Sequence, residues 1–208
     1  MDKIFINHPD IENYIFSLLK EDDPVLEEME QLAQQLNFPI VGRIVGKLLY
    51  MLAKLKKPKL IVEVGSGFGY SAYWFAKALD EEGKLVLSDY KKENIELAKQ
   101  FFEKANLNKN IIFEVGDGVE IASKYKGIDI LFLDHEKTRY KETVEKLESN
   151  ISKDGLILAD NVLWYGKVIK DEKSSKAKAI DEFNRYMVEN FDTTILPIRD
   201  GLLIARKT

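Results

Sequence analysis

The chain has 208 residues, a formal net charge of −4 and no cysteine. This length suits one domain with a full hydrophobic core, and the composition excludes collagen-like, disordered and disulfide-built proteins. Without cysteine there is no zinc–thiolate cluster and no thiol nucleophile, so we expect a protein of a reducing compartment, by default the cytoplasm. Charged residues interrupt residues 1–20, and no apolar run reaches the roughly 18 residues that a membrane span needs, which predicts neither export nor membrane insertion.

Three amphipathic helices are predicted in the first part of the chain. Apolar residues recur at helical spacing behind Asp10, behind Asp23-Pro24, and from Val41 until Lys56-Lys57-Pro58 ends the pattern. The recurring positions are Ile11, Tyr14, Ile15, Leu18 and Leu19, then Leu26, Met29, Ala33 and Leu36, then Val41, Ile44, Val45, Leu48, Leu49, Leu52 and Leu55. We expect residues 1–57 to form a helical cap and residues 58–208 an α/β core, within a single domain.

From residue 60 onward, short apolar runs alternate with amphipathic stripes. The runs predict strands at 60–64, 85–87, 111–115, 128–133 and 156–159, and the stripes predict helices near 72–79, 95–105, 140–147 and 180–188. Apolar strands separated by helices are typical of a parallel sheet covered on both faces, which predicts a doubly wound α/β fold. Residues 193–197 and 202–205 flank Arg199-Asp200-Gly201 and predict an antiparallel hairpin at the sheet edge.

A glycine-rich turn follows the first predicted strand, with the sequence Glu63-Val64-Gly65-Ser66-Gly67-Phe68-Gly69-Tyr70-Ser71. Its glycines allow a tight turn and close approach to a ligand, and Asp89, which closes the second strand, is placed to accept hydrogen bonds from a ribose. The order G-x-G-x-G departs from the dinucleotide fingerprint G-x-G-x-x-G. Glu63 would repel phosphates but attract the ammonium and sulfonium of S-adenosylmethionine. The alternative is a purely structural strand-to-helix turn.

Oxygen-bearing side chains end the fourth and fifth predicted strands. Asp134 follows the fourth strand and Asp160-Asn161 closes the fifth, so these side chains are expected to converge in the ligand crevice at the carboxyl ends of the strands. Oxygen donors without cysteine suit a hard divalent ion, most simply Mg²⁺. Lys137 would lie near that ion, where its charged form is disfavoured, which indicates a general base. The alternative is that each acid caps a helix or turn.

Four motifs together resemble the catechol and caffeoyl-coenzyme A type of class I, metal-dependent O-methyltransferases. They are the glycine loop, Asp89, the segment Asp134-His135-Glu136-Lys137-Thr138-Arg139-Tyr140, and Ala159-Asp160-Asn161-Val162. The resemblance covers about residues 35–208, and its motifs occur in the family's order. It implies a seven-stranded sheet with one antiparallel strand near the edge, a methyl donor, S-adenosylmethionine, and a Mg²⁺ ion or another hard divalent cation.

Carried over to this chain, the resemblance implies a role for each site residue. Val41 and Ser71 would contact the methionine carboxylate, Glu63 and the Gly65-Ser66 backbone would form the floor of that pocket, Asp89 would bind the ribose, and Asp117 and Gly118 would lie at the adenine. Asp134, Asp160 and Asn161 would hold the metal, Asp134 also bordering the cofactor, and Lys137 would deprotonate the acceptor hydroxyl. Trp164 and Tyr165 are candidates to wall an aromatic acceptor, or alternatively loop aromatics that pack on their neighbours.

The resemblance leaves the acceptor open. In catechol methyltransferases an aromatic residue follows the histidine of the Asp-His motif, whereas this chain has Glu136, and no acid near Thr194 matches the family's glutamate for the second hydroxyl. These departures weigh against catecholamines, and a small aromatic diol is the leading expectation. A hydroxylated uridine in transfer RNA is the rival, since Lys47, Lys54, Lys56, Lys57 and Lys59 offer a local phosphate-binding patch on an otherwise acidic chain.

Two further classes of protein compete with an O-methyltransferase. A nonenzymatic nucleoside-binding module would not need Asp134, Lys137, Asp160 and Asn161 together, and an NAD-linked dehydrogenase is disfavoured by the position of the third glycine. A homodimer is expected from the resemblance, with the apolar N-terminal helices as candidate interface surface, although such stripes are more often part of a core.

Overall fold

The computed structural model describes residues 6–20, 22–170 and 174–208. Among these residues, seven strands form one sheet: β1 (Leu60–Val64), β2 (Lys84–Asp89), β3 (Ile111–Val115), β4 (Ile128–Leu133), β5 (Ile151–Asp160), β6 (Asp192–Leu196) and β7 (Leu202–Arg206). Their spatial order is β3-β2-β1-β4-β5-β7-β6. The first five strands are parallel, and β7 runs antiparallel to both of its neighbours. The predicted doubly wound sheet and its antiparallel hairpin are therefore confirmed.

Helices cover both faces of this sheet. They are α1 (Pro9–Leu18), α2 (Pro24–Gln35), α3 (Gly42–Lys56), α4 (Tyr70–Ala78), α5 (Lys92–Lys104), α6 (Gly118–Ser123), α7 (Tyr140–Leu147) and α8 (Ser175–Asn190). Successive strand residues point to opposite faces, so Ile61 and Phe132 pack with α2, α3, α4 and α5, whereas Val62 and Leu131 pack with α6, α7 and α8. Because α2 and α3 share this first core with the sheet, they are joined to the α/β part by burial. The division at residue 57 remains a prediction.

The first helix differs from its prediction. His8, not Asp10, is the N-cap of α1, because Pro9 occupies the first helical turn and the His8 ring accepts from the Asp10 backbone N–H. No residue of α1 is buried, so its apolar stripe lies at the surface instead of in the core. Asp23 caps α2 as predicted, accepting from the Val25 and Leu26 N–H groups at 3.0 and 3.3 Å.

Two elements extend beyond the pattern that the sequence offered. The short α6 was not predicted, since its six residues are too few for an amphipathic stripe to stand out. Strand β5 begins at Ile151, five residues before the predicted start, because the polar stretch 152–155 continues the strand at the sheet's amino edge. Among the described helices, none is long and apolar enough to cross a membrane.

Candidate active site

A cavity of about 510 Å³ opens at the carboxyl edge of the sheet. It is bounded by the glycine loop, the ends of β4 and β5, the segment before α3 and the turn between β6 and β7. The predicted residues that line it are Val41, Gly65, Ser66, Ser71, Asp89, Asp134, Lys137, Asp160, Asn161, Trp164 and Tyr165. Asp117 and Gly118 line a small adjoining cleft, and Glu63 is buried behind Ser71. The topology therefore gathers the predicted set around one crevice.

The glycine loop passes directly beneath the end of β4. Gly65 has φ +87°, and a Cβ at this position would lie 2.7 Å from the Asp134 carbonyl oxygen and 2.8 Å from the His135 Cα. The N–H groups of Gly65 and Ser66 donate to the Ser88 carbonyl at 3.1 and 2.9 Å. These two donors are thus used to hold the loop against β2, and what the loop offers a ligand is a close, side-chain-free surface.

Glu63 is a buried acid behind the glycine loop. Its Oε1 accepts a short hydrogen bond from the Ser71 hydroxyl, and its Oε2 has no hydrogen-bond partner among the described residues. Burial raises the pKa of Glu63 to about 8, the Ser71 hydrogen bond opposes this rise, and the charges of Asp134 and Asp89 add to it. An uncompensated buried carboxyl beside Ser71 suits a ligand that brings positive charge to this end of the crevice.

Asp89 is held in place from three directions. Its Oδ2 accepts from the Gly67 N–H at 3.1 Å, and its Oδ1 accepts from the Lys91 N–H at 2.8 Å and the Asn94 side-chain amide at 2.9 Å. The carboxylate therefore points into the cavity with its orientation fixed by the loop and by the start of α5. The Oδ2 oxygen keeps a lone pair for a further donor, as a ribose hydroxyl would be.

Asp117, which the resemblance places at the adenine, is also the N-cap of α6. Its Oδ1 accepts from two backbone N–H groups of α6, and its Oδ2 accepts from the Tyr90 hydroxyl at 2.6 Å and the Arg139 guanidinium at 3.1 Å. Burial raises the pKa of Asp117, but these hydrogen bonds outweigh burial and lower it to about 2. Gly118 lies against the ends of β1 and β2, where an added Cβ would approach the Ser88 Oγ to 2.6 Å and the Val64 side chain to 2.8 Å.

Asp134 and Lys137 form an ion pair at the end of β4. The Lys137 Nζ lies 2.6 Å from the Asp134 Oδ1, and the two side chains are only 13% and 23% exposed. Burial raises the pKa of Asp134, and the adjacent Lys137 charge and hydrogen bond oppose that rise. The predicted metal ligand Asp134 and the predicted general base Lys137 are therefore in direct contact.

Asp160 and Asn161 end β5 beside that pair. Asp160 is 2% exposed and its Oδ1 has no hydrogen-bond partner among the described residues. Burial and the nearby Asp134 both raise the pKa of Asp160. Asn161 follows with φ +61°, a left-handed conformation that asparagine tolerates better than most residues.

These donors fit a hard cation by their chemistry. The buried Asp160, which has an orphaned oxygen, and the partly buried Asp134, whose charge disfavours ionisation of Asp160, are stabilised by a positive ion between them, and Asn161 adds an amide oxygen. Within the described residues, no group of three or more histidine, cysteine or acidic side chains is arranged to hold a metal. The predicted metal-ligand set of Asp134, Asp160 and Asn161 contains two acids and one amide, so it is not a group of three such side chains.

Tyr140 holds the two strand ends together. Its buried hydroxyl lies 2.9 Å from the Leu133 carbonyl oxygen and 3.2 Å from the Asp160 carbonyl oxygen, bridging β4 and β5 where they present Asp134 and Asp160. His135 packs 5.1 Å from the Tyr140 ring. Burial, with the charges of Lys137 and Arg139, lowers the pKa of His135 to about 4. His135 is thus a neutral packing residue here.

Trp164 and Tyr165 lie at the outer wall of the cavity on a loop with unusual backbone angles. Their φ values are +45° and +54°, and their rings are 5.8 Å apart. The Tyr165 N–H donates a short hydrogen bond to the buried Asp200, which ties this loop to the turn before β7. Left-handed non-glycine residues persist where the surroundings hold them, and they are concentrated at ligand sites.

The cavity is also lined by side chains that the sequence analysis did not select. They include Phe38, Pro39, Ile40, Tyr70, Tyr90 and Arg199. Arg199 was noted only as part of the hairpin turn, and its charge beside Asp200-Gly201 at the carboxyl edge of the sheet was the available signal. For Phe38 and Ile40 the sequence signal was weaker. It was only their position shortly before Val41, the first residue that the resemblance placed at the cofactor.

Comparison with known proteins agrees with this geometry. The O-methyltransferase family model matches residues 17–208. A catechol O-methyltransferase from Niastella koreensis is 31% identical, over 94% of this chain and 95% of that protein. A caffeoyl-CoA O-methyltransferase from Petunia hybrida is 29% identical, over 90% of this chain and 85% of that protein. The chain belongs to the O-methyltransferase family.

Solved structures lead to the same conclusion. A methyltransferase from Geobacter sulfurreducens has a TM-score of 0.86 and 33% identity, with 98% of this chain and 99% of that chain covered. The O-methyltransferase TomG from Streptomyces achromogenes, solved in complex with SAM, has a TM-score of 0.84 and 25% identity, with 96% of each chain covered. The chain is a methyltransferase enzyme with the class I, Rossmann-like fold.

Proposed function

We propose that this enzyme transfers a methyl group from S-adenosylmethionine to one hydroxyl of a small aromatic acceptor with two adjacent oxygens, with the help of a divalent cation, most simply Mg²⁺. The observation that carries the proposal is the convergence of Asp134, Lys137, Asp160 and Asn161 on one cavity with the glycine loop. The catechol and caffeoyl-CoA substrates in the names of the similar enzymes support the same kind of acceptor.

The cofactor end of the cavity is assigned to the glycine loop side. Asp89 accepts hydrogen bonds from the ribose hydroxyls of S-adenosylmethionine. The buried Glu63, together with Ser71 and Val41, surrounds the methionine part of the same molecule. Asp117 and Gly118 border the adenine in the adjoining cleft. This arrangement leaves the reacting end of the donor directed toward the ends of β4 and β5, where the acceptor binds.

The acceptor end is assigned to the metal-ligand set. Asp134, Asp160 and Asn161 would hold the cation, which when bound supplies Lewis acidity and a template for two adjacent oxygens. Lys137 would take the proton of the reacting hydroxyl at its Nζ in its neutral form, which a cation bound beside it would favour. Trp164 and Tyr165 wall the aromatic ring and exclude water. The protein contributes mainly alignment, which is worth roughly 7 to 11 kcal/mol of the barrier for well-oriented reactants.

The role of Asp160 is tested by Asp160→Asn, which keeps the shape of the side chain but removes its charge. We expect methyl transfer to fall by about 100-fold or more, while S-adenosylhomocysteine binds with nearly unchanged affinity in calorimetry. The matched control is Asp192→Asn, because Asp192 is an exposed acid at the start of β6, on the opposite edge of the sheet from Asp160. Full activity of Asp160→Asn would remove Asp160 from the catalytic site.

The acceptor class is tested by a screen with labelled methyl donor. Catechols and caffeoyl esters are compared with transfer RNA whose uridine is unmodified or hydroxylated. We expect label in the small diols. Label only in hydroxylated transfer RNA would favour the second candidate, which rests on the lysines of α3 and the residues after it, and tight binding of NAD without S-adenosylhomocysteine binding would contradict both.

We further propose a homodimer in the cytoplasm. The exposed apolar side chains of α1 and α3, which include Tyr14, Leu18, Met51 and Leu55, support an interface there. Size-exclusion chromatography with light scattering should give twice the monomer mass, and Leu18→Glu combined with Leu55→Glu should give the monomer mass with the methyl-donor site intact. A monomer in the unmodified protein would contradict the proposal.

A further inference from the structure

Arg199 differs from the other arginines of this protein because it has no carboxylate partner among the described residues. The other four each lie within 4.0 Å of a carboxylate: Arg43 with Glu30, Arg139 with Asp117, Arg185 with Asp181, and Arg206 with Asp192. Among the described residues, no carboxylate lies that close to Arg199. Its recorded hydrogen bond is to the Ile40 carbonyl, at 2.8 Å from Nη1, which leaves most of its five N–H groups available.

The position of Arg199 directs this unpaired charge toward the acceptor end of the cavity. The residue lies in the turn between β6 and β7 and lines the same cavity as Asp160, Asn161 and Trp164. Its charge is near enough to lower the pKa values of Asp134 and Asp160 against the effect of burial. It is therefore a neighbour of the groups that are proposed to hold the reacting oxygens.

The backbone at Arg199 adopts a left-handed conformation. Its φ is +48°, in the region that favours glycine, and the side chain lies 3.6 Å from the place of a Cβ on Gly42. A long charged side chain in a left-handed turn costs free energy and persists where the surroundings hold it, most often at ligand sites. Trp164 and Tyr165, on the loop that is hydrogen-bonded to the same turn, share this feature.

We propose that Arg199 is a specificity-determining residue that binds a carboxylate of the acceptor, so that the preferred acceptors are aromatic vicinal diols that carry an acid group. This inference rests on the proposed function of the same site. A planar guanidinium matches a carboxylate with two parallel hydrogen bonds, and it repels an ammonium. Donor and acceptor share one cavity of about 510 Å³, so the acid group belongs to a compact acceptor.

The test compares three acceptors that differ in charge: 3,4-dihydroxybenzoate, its methyl ester, and dopamine. In Arg199→Gln we expect kcat/KM for the acid to fall by about 10- to 100-fold, mainly through KM, because a charge-assisted hydrogen bond to the substrate is lost. The values for the ester should change by less than about threefold and those for dopamine should rise. Arg199→Lys should restore part of the preference for the acid.

Arg206→Gln is the matched control, since it removes the same charge from the far end of the same hairpin. Its acceptor preference should equal that of the unmodified enzyme. Two other roles for Arg199 predict different results. If the residue only fastens Ile40 over the cavity, Arg199→Gln lowers kcat/KM equally for all three acceptors. If it binds the methionine carboxylate, the affinity for S-adenosylhomocysteine falls. Either result overturns the proposal.

A binding measurement separates this inference from the proposed function. Calorimetry of 3,4-dihydroxybenzoate into the protein saturated with S-adenosylhomocysteine should show weaker binding in Arg199→Gln, whether or not any diol is methylated. Absence of methyl transfer to every diol contradicts the proposed function, whereas equal binding of the acid by both proteins contradicts the role of Arg199. If Arg199→Gln weakens the binding of a coenzyme A ester only, the group that Arg199 binds is a phosphate instead of a carboxylate, and the assignment is overturned.

Discussion

At the scale of single residues, the site depends on backbones that approach each other more closely than side chains allow. Gly65 passes under β4 with its Cα facing the Asp134 carbonyl, so the loop and the end of β4 are in direct contact. The same close approach fixes the distance between the two halves of the cavity. A methyl donor on one side and an acceptor on the other can then be aligned by a rigid crossing instead of by flexible side chains.

Gly65→Ala tests this crossing. The new Cβ would lie 2.7 Å from the Asp134 carbonyl oxygen, so the loop or the strand end must move. Gly127→Ala is the matched control, because Gly127 has a similar φ of +71° but no atom within 4 Å of an added Cβ. We expect the control to lose about 1 kcal/mol of unfolding free energy from backbone strain alone, and Gly65→Ala to lose more. Calorimetry should show a further loss of S-adenosylhomocysteine affinity in Gly65→Ala; equal effects of the two changes would contradict the close crossing.

Tyr140→Phe tests the bridge between the ends of β4 and β5. Removing the hydroxyl leaves the Leu133 and Asp160 carbonyls without this donor, so we expect a loss of about 1 to 3 kcal/mol in urea unfolding and a lower kcat with little change in S-adenosylhomocysteine affinity. Tyr186→Phe is the control: no hydrogen bond of its hydroxyl is found among the described residues, and we expect a change within about 0.5 kcal/mol. A Tyr140→Phe enzyme with normal stability and turnover would show that the bridge does not position the acids.

At the scale of elements, the strands were easier to predict than the helix ends. Strands β1, β3 and β4 have the predicted bounds because each is a mostly apolar run with polar residues on both sides, although β3 lies at the sheet edge and is only partly buried. The ends of α1 depended on one local choice, whether the His8 or the Asp10 side chain accepts the first N–H. Composition alone does not decide that choice. The position of Pro9 decides it, because proline favours the first helical position and so makes His8 the N-cap.

Asp23 tests an element boundary and its pH dependence. Burial raises the pKa of Asp23, but Lys77, the Leu26 N–H and Tyr73 outweigh it, so the folded pKa is lowered. The unfolded state then binds the proton more tightly, and the stabilisation is present above about pH 4 and is lost as the pH falls through the folded pKa.

Asp23→Ala should therefore cost about 1 to 2 kcal/mol of unfolding free energy at pH 7, and clearly less near pH 3. Denaturant unfolding at the two pH values measures this difference. Asp10→Ala on the exposed face of α1 serves as the control, with an expected change within about 0.5 kcal/mol. A cost for Asp23→Ala that is the same at both pH values would contradict a contribution from the charged form.

At the scale of the whole molecule, the fold explains why part of the site was predictable. Residues 65, 89, 134 and 160 each lie at the carboxyl end of a parallel strand, and parallel strands end at one edge, so their convergence follows from order alone. Arg199 and the Ile40 carbonyl meet across 159 residues of sequence. That contact depends on how the hairpin and the segment before α3 fold over the same edge, which no local pattern encodes.

The central claim is that adjacent oxygens of an aromatic acceptor are methylated at a site of two acids, one amide and one lysine that uses a divalent cation. The most direct measurement is the rate of labelled methyl transfer to catechol and to resorcinol, whose hydroxyls are not adjacent, each with Mg²⁺ and with excess chelator. The account predicts rapid labelling of catechol with Mg²⁺, at least about tenfold slower labelling of resorcinol, and loss of both rates in chelator that added Mg²⁺ restores. Equal labelling of the two isomers, or full activity in chelator, would contradict it.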